Sequence, residues 1–114
     1  MILFHNSNDN LTKLVPKVGS SRHSGEDPRA VGKPVVWLSN KPQLDQSSMK
    51  YRYEVEISEN DPDLMMDEPF AKLQQDFAKM FNMENNWRWY FCFRELDINA
   101  TYEFDSAIKD YVRV

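Results

Sequence analysis

Apolar and polar residues alternate along two segments of the chain. From 51 to 57 the odd positions are apolar or aromatic and the even positions are charged, and from 87 to 93 an aromatic side chain occupies every odd position. A period of two places alternate side chains on one face of a strand, so both segments are predicted to be strands. The continuous apolar run at 35–39, between Pro34 and Asn40, predicts a strand that is buried on both faces.

A period of three to four residues predicts the main helix. One apolar face begins just after Pro69 and is formed by Phe70, Leu73, Phe77, Met80 and Phe81. Pro69 suits the first helical position, and Asp67 or Glu68 is placed to accept hydrogen bonds from the free amides. We expect the helix to end within 82–86.

Shorter segments complete the expected order of elements. They are a strand at 1–5, a polar turn at 6–10, one helical turn at 11–15, a long loop at 17–34, an acidic loop at 58–67, a strand at 100–104 and a short last helix that Asp105 caps. Strands that follow one another without helical crossovers argue against a doubly wound sheet. We therefore expect one α+β domain over 1–114, with a small, mostly antiparallel sheet or two packed half-sheets.

The composition removes several classes of function. A formal net charge of −4 disfavours bulk attraction to nucleic acids and to anionic membranes. No apolar stretch approaches the roughly 20 residues that a membrane span needs. One cysteine and two histidines are too few for a tetrahedral zinc site. The first residues lack the basic and long apolar regions of a signal peptide, so we expect a cytoplasmic protein.

The glycines restrict the ways in which the chain can bind a nucleotide. There are three of them, and all lie in one region: Gly19, Gly25 and Gly32. The chain therefore contains neither a GxGxxG turn nor a P-loop. Any nucleotide site has to be built in another way.

Two residues near strand ends have functional and structural interpretations. His5 presents a ring with a donor and an acceptor at a sheet edge, and it also fits a surface or capping histidine. Trp37, followed by the hydroxyl of Ser39, fits a stacking surface for a planar ligand ring or a packed core residue.

Two charged loops and the cysteine also have competing interpretations. The acidic loop containing Asp61 fits a cation site, a single catalytic carboxylate that stabilises positive charge, or a solvated run beside the helix N-terminus. The basic loop containing Arg22 fits a phosphate site or a solvated loop. Cys92 falls in the polar row of its strand, which argues against a nucleophile.

Three segments, taken in order, resemble one enzyme family. Leu-Phe-His-Asn-Ser at 3–7 is similar to the Tyr-His-Gly-Thr strand that opens the rifampicin ADP-ribosyltransferases, and Val-Trp-Leu-Ser at 36–39 is similar to their Ile-Tyr-Phe-Thr strand. The strand at 53–57, which runs into Asn-Asp-Pro-Asp at 60–63, resembles their third strand and its Asp-Asp-Pro-Asn loop. The resemblance to these small bacterial ADP-ribosyltransferase-like domains covers 2–64. The RNA 2′-phosphotransferases are more distant.

The resemblance implies a fold, a cofactor and an activity. It implies a split sheet that binds NAD in a cleft between two half-sheets and transfers ADP-ribose to an acceptor with release of nicotinamide. The sequence does not name the acceptor, and a protein is one candidate. In the implied site, His5 hydrogen-bonds the ribose next to nicotinamide with help from Ser7. Trp37 stacks near the nicotinamide, and Ser39 belongs to the same cofactor-binding strand.

The same resemblance implies roles for two further residues, and two positions differ from the family pattern. Asp61 is implied to stabilise the positive charge that develops on the ribose, and Arg22 is assigned to the pyrophosphate by its loop position and charge alone. Asn6 stands where the family has glycine, and Trp37 stands where it has tyrosine.

Two other functions remain open at this stage. The first is a non-catalytic binding module or small inhibitor that acts by protein–protein contact, for which an aromatic content of 13% is suited. The second is RNA end chemistry of the 2′-phosphotransferase type, which the acidic charge disfavours.

Overall fold

Among the residues that the structure describes, antiparallel pairing forms a seven-stranded sheet and a two-stranded sheet, with one helix. The computed structural model describes residues 1–18, 27–42, 49–82 and 86–114. Within these ranges the elements in chain order are β1 Ile2–Ser7, β2 Lys13–Leu14, β3 Val36–Ser39, β4 Tyr51–Glu56, β5 Leu64–Met66, α1 Glu68–Phe81, β6 Trp89–Cys92, β7 Leu96–Asp97, β8 Ala100–Asp105 and β9 Asp110–Arg113. The expected α+β class, with one main helix and an antiparallel sheet, is confirmed.

The large sheet is divided into two parts between β1 and β3. Its strand order is β5-β6-β3-β1-β4-β8-β9. β1 and β4 pair along their whole length, from Ile2↔Glu56 to Ser7↔Tyr51. β1 and β3, in contrast, are joined by the single residue pair Phe4↔Ser39 among the described residues. The half-sheets β5-β6-β3 and β1-β4-β8-β9 therefore meet over a short contact, and the strand edges on either side of it are not held together by a continuous ladder.

The main core lies on one face of the large sheet. Leu3, Tyr53 and Val55 share this face, because β1 and β4 place alternate side chains on it and all three are at most 1% exposed. Leu14 of β2 and Leu96 of β7 belong to the same cluster and cover it. Each such side chain stabilises the fold by about 1.5 to 3 kcal/mol on burial, so this cluster holds the two sheets together.

A second apolar cluster lies on the other face of the half-sheet β5-β6-β3. Trp37 and Phe91 form its centre, with ring centroids 5.4 Å apart, and Ala30 and Val35 pack against them. The row of aromatic residues at 87–93 thus serves packing. Phe70 of α1 extends the row by edge-on contacts with Trp87 and Trp89.

The helix begins and ends as its sequence predicts. Asp67 is the N-cap, and its carboxylate accepts a hydrogen bond of 3.1 Å from the amide of Phe70. Pro69 lies in the first turn, and Asn82 ends the helix in the left-handed conformation at φ 51°.

No helix in the described ranges is long and apolar enough to cross a bilayer.

The apolar face of α1 is only partly covered. Phe70 and Ala71 are its buried residues. The other members of the predicted apolar face are between 49% and 74% exposed: Leu73, Phe77, Met80 and Phe81. The contact of α1 with the sheet is therefore concentrated in its first turn.

We expect the buried first turn of α1 and its exposed apolar residues to contribute unequally to the stability of the protein. Phe70→Ala should lower the free energy of unfolding by about 3 kcal/mol, because a large buried ring is lost. Phe77→Ala removes a ring of the same size from the solvent-facing row and should cost less than about 1 kcal/mol. Urea unfolding followed by tryptophan fluorescence measures both. Equal losses at the two positions would show that the whole apolar face is packed.

Three predicted segments are wrong. The expected helical turn at 11–15 is instead β2, paired through Leu14↔Leu96. The acidic loop at 58–67 contains β5, which pairs with β6. The expected last helix is β9 in a hairpin with β8, turned by an Asp105 side chain that accepts from the amide of Ala107 at 2.9 Å and by Lys109 at φ 54°. In each case a strand partner elsewhere in the chain determines the structure of a short segment, and local spacing does not reveal it.

Candidate functional site

His5 lies where the two half-sheets part. β1 continues past His5 to Ser7, so the histidine is inside the strand and does not end it. Its Nδ1 atom is 2.7 Å from the main-chain oxygen of Trp37 on β3. A carbonyl oxygen can only accept, so Nδ1 carries the proton in this bond. The ring is therefore fixed by β3, and its Nε2 atom is an acceptor.

The surroundings of His5 keep the imidazole neutral. Burial lowers the pKa of His5 below its ordinary value, and the positive charge of Lys17 lowers it further. The hydrogen bond to Trp37 opposes these effects but is outweighed by burial. At neutral pH the site thus offers an uncharged ring whose Nε2 can accept a hydrogen bond from a hydroxyl.

The other residues expected near the cofactor lie on β1 and β3. The hydroxyl of Ser7 accepts from the amide of Asp9 at 3.1 Å. Trp37 is 6% exposed, and its ring packs in the second apolar cluster, whereas its carbonyl holds His5. Ser39 is 2% exposed and donates through its hydroxyl to the carbonyl of Lys41 at 2.7 Å. The structure therefore joins His5 to Trp37 through the backbone, with the indole directed into the interior.

Asp61 lies in the loop before β5. Its Oδ1 accepts from the amide of Asp63 at 2.9 Å, and its Oδ2 pairs with the guanidinium of Arg94, which follows β6. Arg94 also contacts Asp63, at 3.5 Å. Hydrogen bonding from Arg94 is the main reason that the pKa of Asp61 falls below its ordinary value, and the Asp63 amide adds to it. Asp61 is therefore an ionised carboxylate.

The sheet order separates the immediate contacts of Asp61 from those of His5. Asp61 is held to the segment that follows β6, and β3 lies between β6 and β1. No contact recorded within the described ranges links Asp61 directly to His5. Arg22, the expected pyrophosphate residue, lies outside the described residues.

An ion pair that the sequence does not predict lies next to β5 and joins the buried Asp27 to Arg29, whose side chain is 41% exposed. Asp27 is 2% exposed. The Arg29 guanidinium donates two hydrogen bonds to its carboxylate, from Nε to Oδ1 at 3.1 Å and from Nη2 to Oδ2 at 2.7 Å. Arg29 also donates to the carbonyl of Met66 at 2.8 Å. These bonds fasten the segment before β3 to β5. The pair lines a groove of about 620 Å³ together with Pro28, Glu68, Pro69 and Lys72.

Cys92 does not lie in a polar row as alternation predicted. It is fully buried in the main core, between β3 and β5, which pair with it through Val36 and Leu64. Burial is the main reason that the pKa of the Cys92 thiol is raised. A protonated, inaccessible thiol cannot act as a nucleophile.

Two carboxylates of the acidic loop are paired with Arg94. Asp61 and Asp63 both face Arg94, and in the described part of the chain no three histidine, cysteine or carboxylate side chains gather as metal ligands. No family model matches the chain, and neither a curated protein nor a solved structure matches it.

Proposed function

We propose that this protein binds NAD where β1 and β3 part and transfers its ADP-ribose group to an acceptor, releasing nicotinamide in the cytoplasm. One observation carries the proposal. His5 is inside β1 at the point where pairing with β3 is reduced to Phe4↔Ser39, and the Trp37 carbonyl presents its neutral ring with Nε2 as an acceptor. The ribose hydroxyls of NAD are donors that match this atom. The likeness of 3–7, 36–39 and 60–63 to the ADP-ribosyltransferase-like pattern supports the same choice of ligand.

The chemistry requires a negative charge near the ribose. When the bond from C1′ to the nicotinamide nitrogen breaks, its electron pair neutralises the ring nitrogen and leaves positive charge on the ribose. An acceptor nucleophile then bonds to C1′ and loses its proton. A fixed carboxylate stabilises the charge in this transition state. We assign this role to Asp61, because Arg94 keeps it ionised and the turn at 58–63 fixes it. The assignment requires NAD to extend across β3, which lies between His5 and the segment that holds Asp61.

The first experiment is a calorimetric titration of the protein with NAD. We expect saturable binding to the wild-type chain and about tenfold weaker binding to His5→Ala, which corresponds to the loss of one hydrogen bond. Ile108→Ala is the control, because Ile108 is 60% exposed in the turn between β8 and β9. Absence of NAD binding by the wild-type chain, or equal affinity in His5→Ala, would contradict the proposed site.

One observation favours a second candidate, a binding module that acts by protein–protein contact. Four apolar residues of α1 are exposed, Met80 the most at 74%: Leu73, Phe77, Met80 and Phe81. Contiguous apolar surface of this kind marks interaction sites. The two candidates differ in their dependence on His5. Partner binding by a contact module should not change with His5→Ala or with added NAD, whereas ADP-ribose transfer requires both His5 and NAD.

A further inference from the structure

The side-chain amide of Asn6 is a donor for which the described residues supply no acceptor. Its Nδ2 atom is shielded from solvent and makes no hydrogen bond within the described part of the chain. A buried N–H group without an acceptor destabilises a folded protein, and native structures retain few of them. Such a group therefore marks a place where an acceptor from outside the free chain is expected.

The position of Asn6 indicates where that acceptor lies. Asn6 follows His5 on β1 and so points to the opposite face of the strand. Both residues lie beyond the pair Phe4↔Ser39, on the stretch of β1 for which no ladder pair with β3 is recorded among the described residues. Since His5 and Asn6 lie on opposite faces of β1, a ligand that contacts both has to lie in the seam between β1 and β3.

The neighbour of Asn6 in the ladder with β4 is Arg52. Arg52 is 8% exposed, and its guanidinium lies 4.1 Å from the centre of the Tyr111 ring of β9. The Asn6 amide is therefore the donor on this stretch of β1, and an amide donor is matched to an oxygen that carries full or partial negative charge. The phosphate, hydroxyl and carbonyl oxygens of a dinucleotide have this character.

We propose that Asn6 is a ligand-binding residue that donates through Nδ2 to an oxygen of NAD bound at the edge of β1. This inference rests on the proposed function for the identity of the ligand. It adds that Asn6 lowers the stability of the free chain and gains its acceptor only when the ligand binds. The asparagine that departs from the family's glycine at this position is thus a binding group.

The test separates affinity from stability by using Asn6→Leu, which removes the donor at similar volume. We expect its affinity for NAD to fall about tenfold or more. We also expect the thermal midpoint of the NAD-free variant to rise above that of the wild type, because the unsatisfied donor is gone. Asn6→Asp, which replaces the donor with an acceptor, should weaken binding at least as much.

Asn8→Asp is the matched control. Asn8 is exposed, and the oxygen that accepts from the Lys50 amide at 3.0 Å survives the substitution. It should leave the affinity for NAD unchanged. Unchanged affinity in Asn6→Leu, or a lower thermal midpoint of its NAD-free form, would overturn the role of Asn6 alone. A wild-type chain that does not bind NAD would overturn the proposed function and this inference together.

Discussion

Arg29→Met is expected to lower the free energy of unfolding by about 3 kcal/mol, because the buried carboxylate of Asp27 loses two charge-assisted hydrogen bonds. The physical reason is that Asp27, at 2% exposure, would lose both side-chain hydrogen bonds from the guanidinium. The bond from Arg29 to the carbonyl of Met66 would also be lost, so the segment before β3 would be released from β5. Urea unfolding at neutral pH measures the loss.

Arg113→Met is the matched control. Arg113 ends β9 and is exposed, so its replacement should change the free energy of unfolding by less than about 0.5 kcal/mol. Replacing both Arg29 and Asp27, with methionine and asparagine, should restore part of the stability, because no charge then remains buried. Equal losses for Arg29→Met and Arg113→Met would contradict the account of this pair.

The same ion pair predicts a pH dependence of known sign. Arg29 lowers the pKa of Asp27 below its ordinary value of 3.8 in the folded chain. A carboxylate with a lowered folded pKa stabilises the protein fully above its unfolded pKa, and this contribution disappears as the pH falls through the folded pKa. The difference in stability between the wild type and Arg29→Met should therefore be constant near neutral pH. It should shrink in acid, because Asp27 takes up its proton at a higher pH in the variant, where burial without the guanidinium raises its pKa, than in the wild type.

Asp61→Asn is expected to slow the release of nicotinamide from NAD by about 100-fold to 1,000-fold, as the loss of one transition-state electrostatic group does in other enzymes. Asparagine keeps an oxygen for the Asp63 amide but removes the negative charge. Chromatographic measurement of free nicotinamide over time gives the rate. The unfolding midpoint of the variant shows whether the turn at 58–63 is preserved.

Asp63→Asn controls for the loss of a charge next to Arg94. Asp63 contacts the same guanidinium, at 3.5 Å, but has no place in the proposed chemistry. Its nicotinamide release should stay within about threefold of the wild-type rate, since a partly exposed ion pair contributes little. Equal rates in the wild type and Asp61→Asn would contradict the catalytic role of Asp61.

The long periodic elements of the fold were predictable, because each carries its own signal. β4 and β6 follow the alternation at 51–57 and 87–93, and α1 follows the spacing of three and four together with its cap at Asp67. The short strands were not predictable. β2 has two residues and exists because β7, far along the chain, pairs with it. A spacing that fits one helical turn also fits a strand whose partner is distant.

The candidate site was predictable only in part, because some of its contacts are made with residues that are distant in the sequence. His5 was singled out by its place near the end of an apolar strand. Its partner is a main-chain carbonyl, which any residue at 37 would supply, so the sequence contains no sign of it. The Asp27–Arg29 pair was missed because Asp-Pro-Arg in a polar segment resembles a solvated turn. Only the packing of that segment against β5 buries the carboxylate.

The central claim is that NAD binds at the open edge between β1 and β3. Titration of isotope-labelled protein with NAD, followed by backbone amide NMR shifts, tests it most directly. We expect saturable shifts centred on 5–7 of β1 and on Trp37 of β3, with α1 residues such as Met80 unaffected. The absence of shifts at high NAD concentration, or shifts confined to α1, would contradict the account.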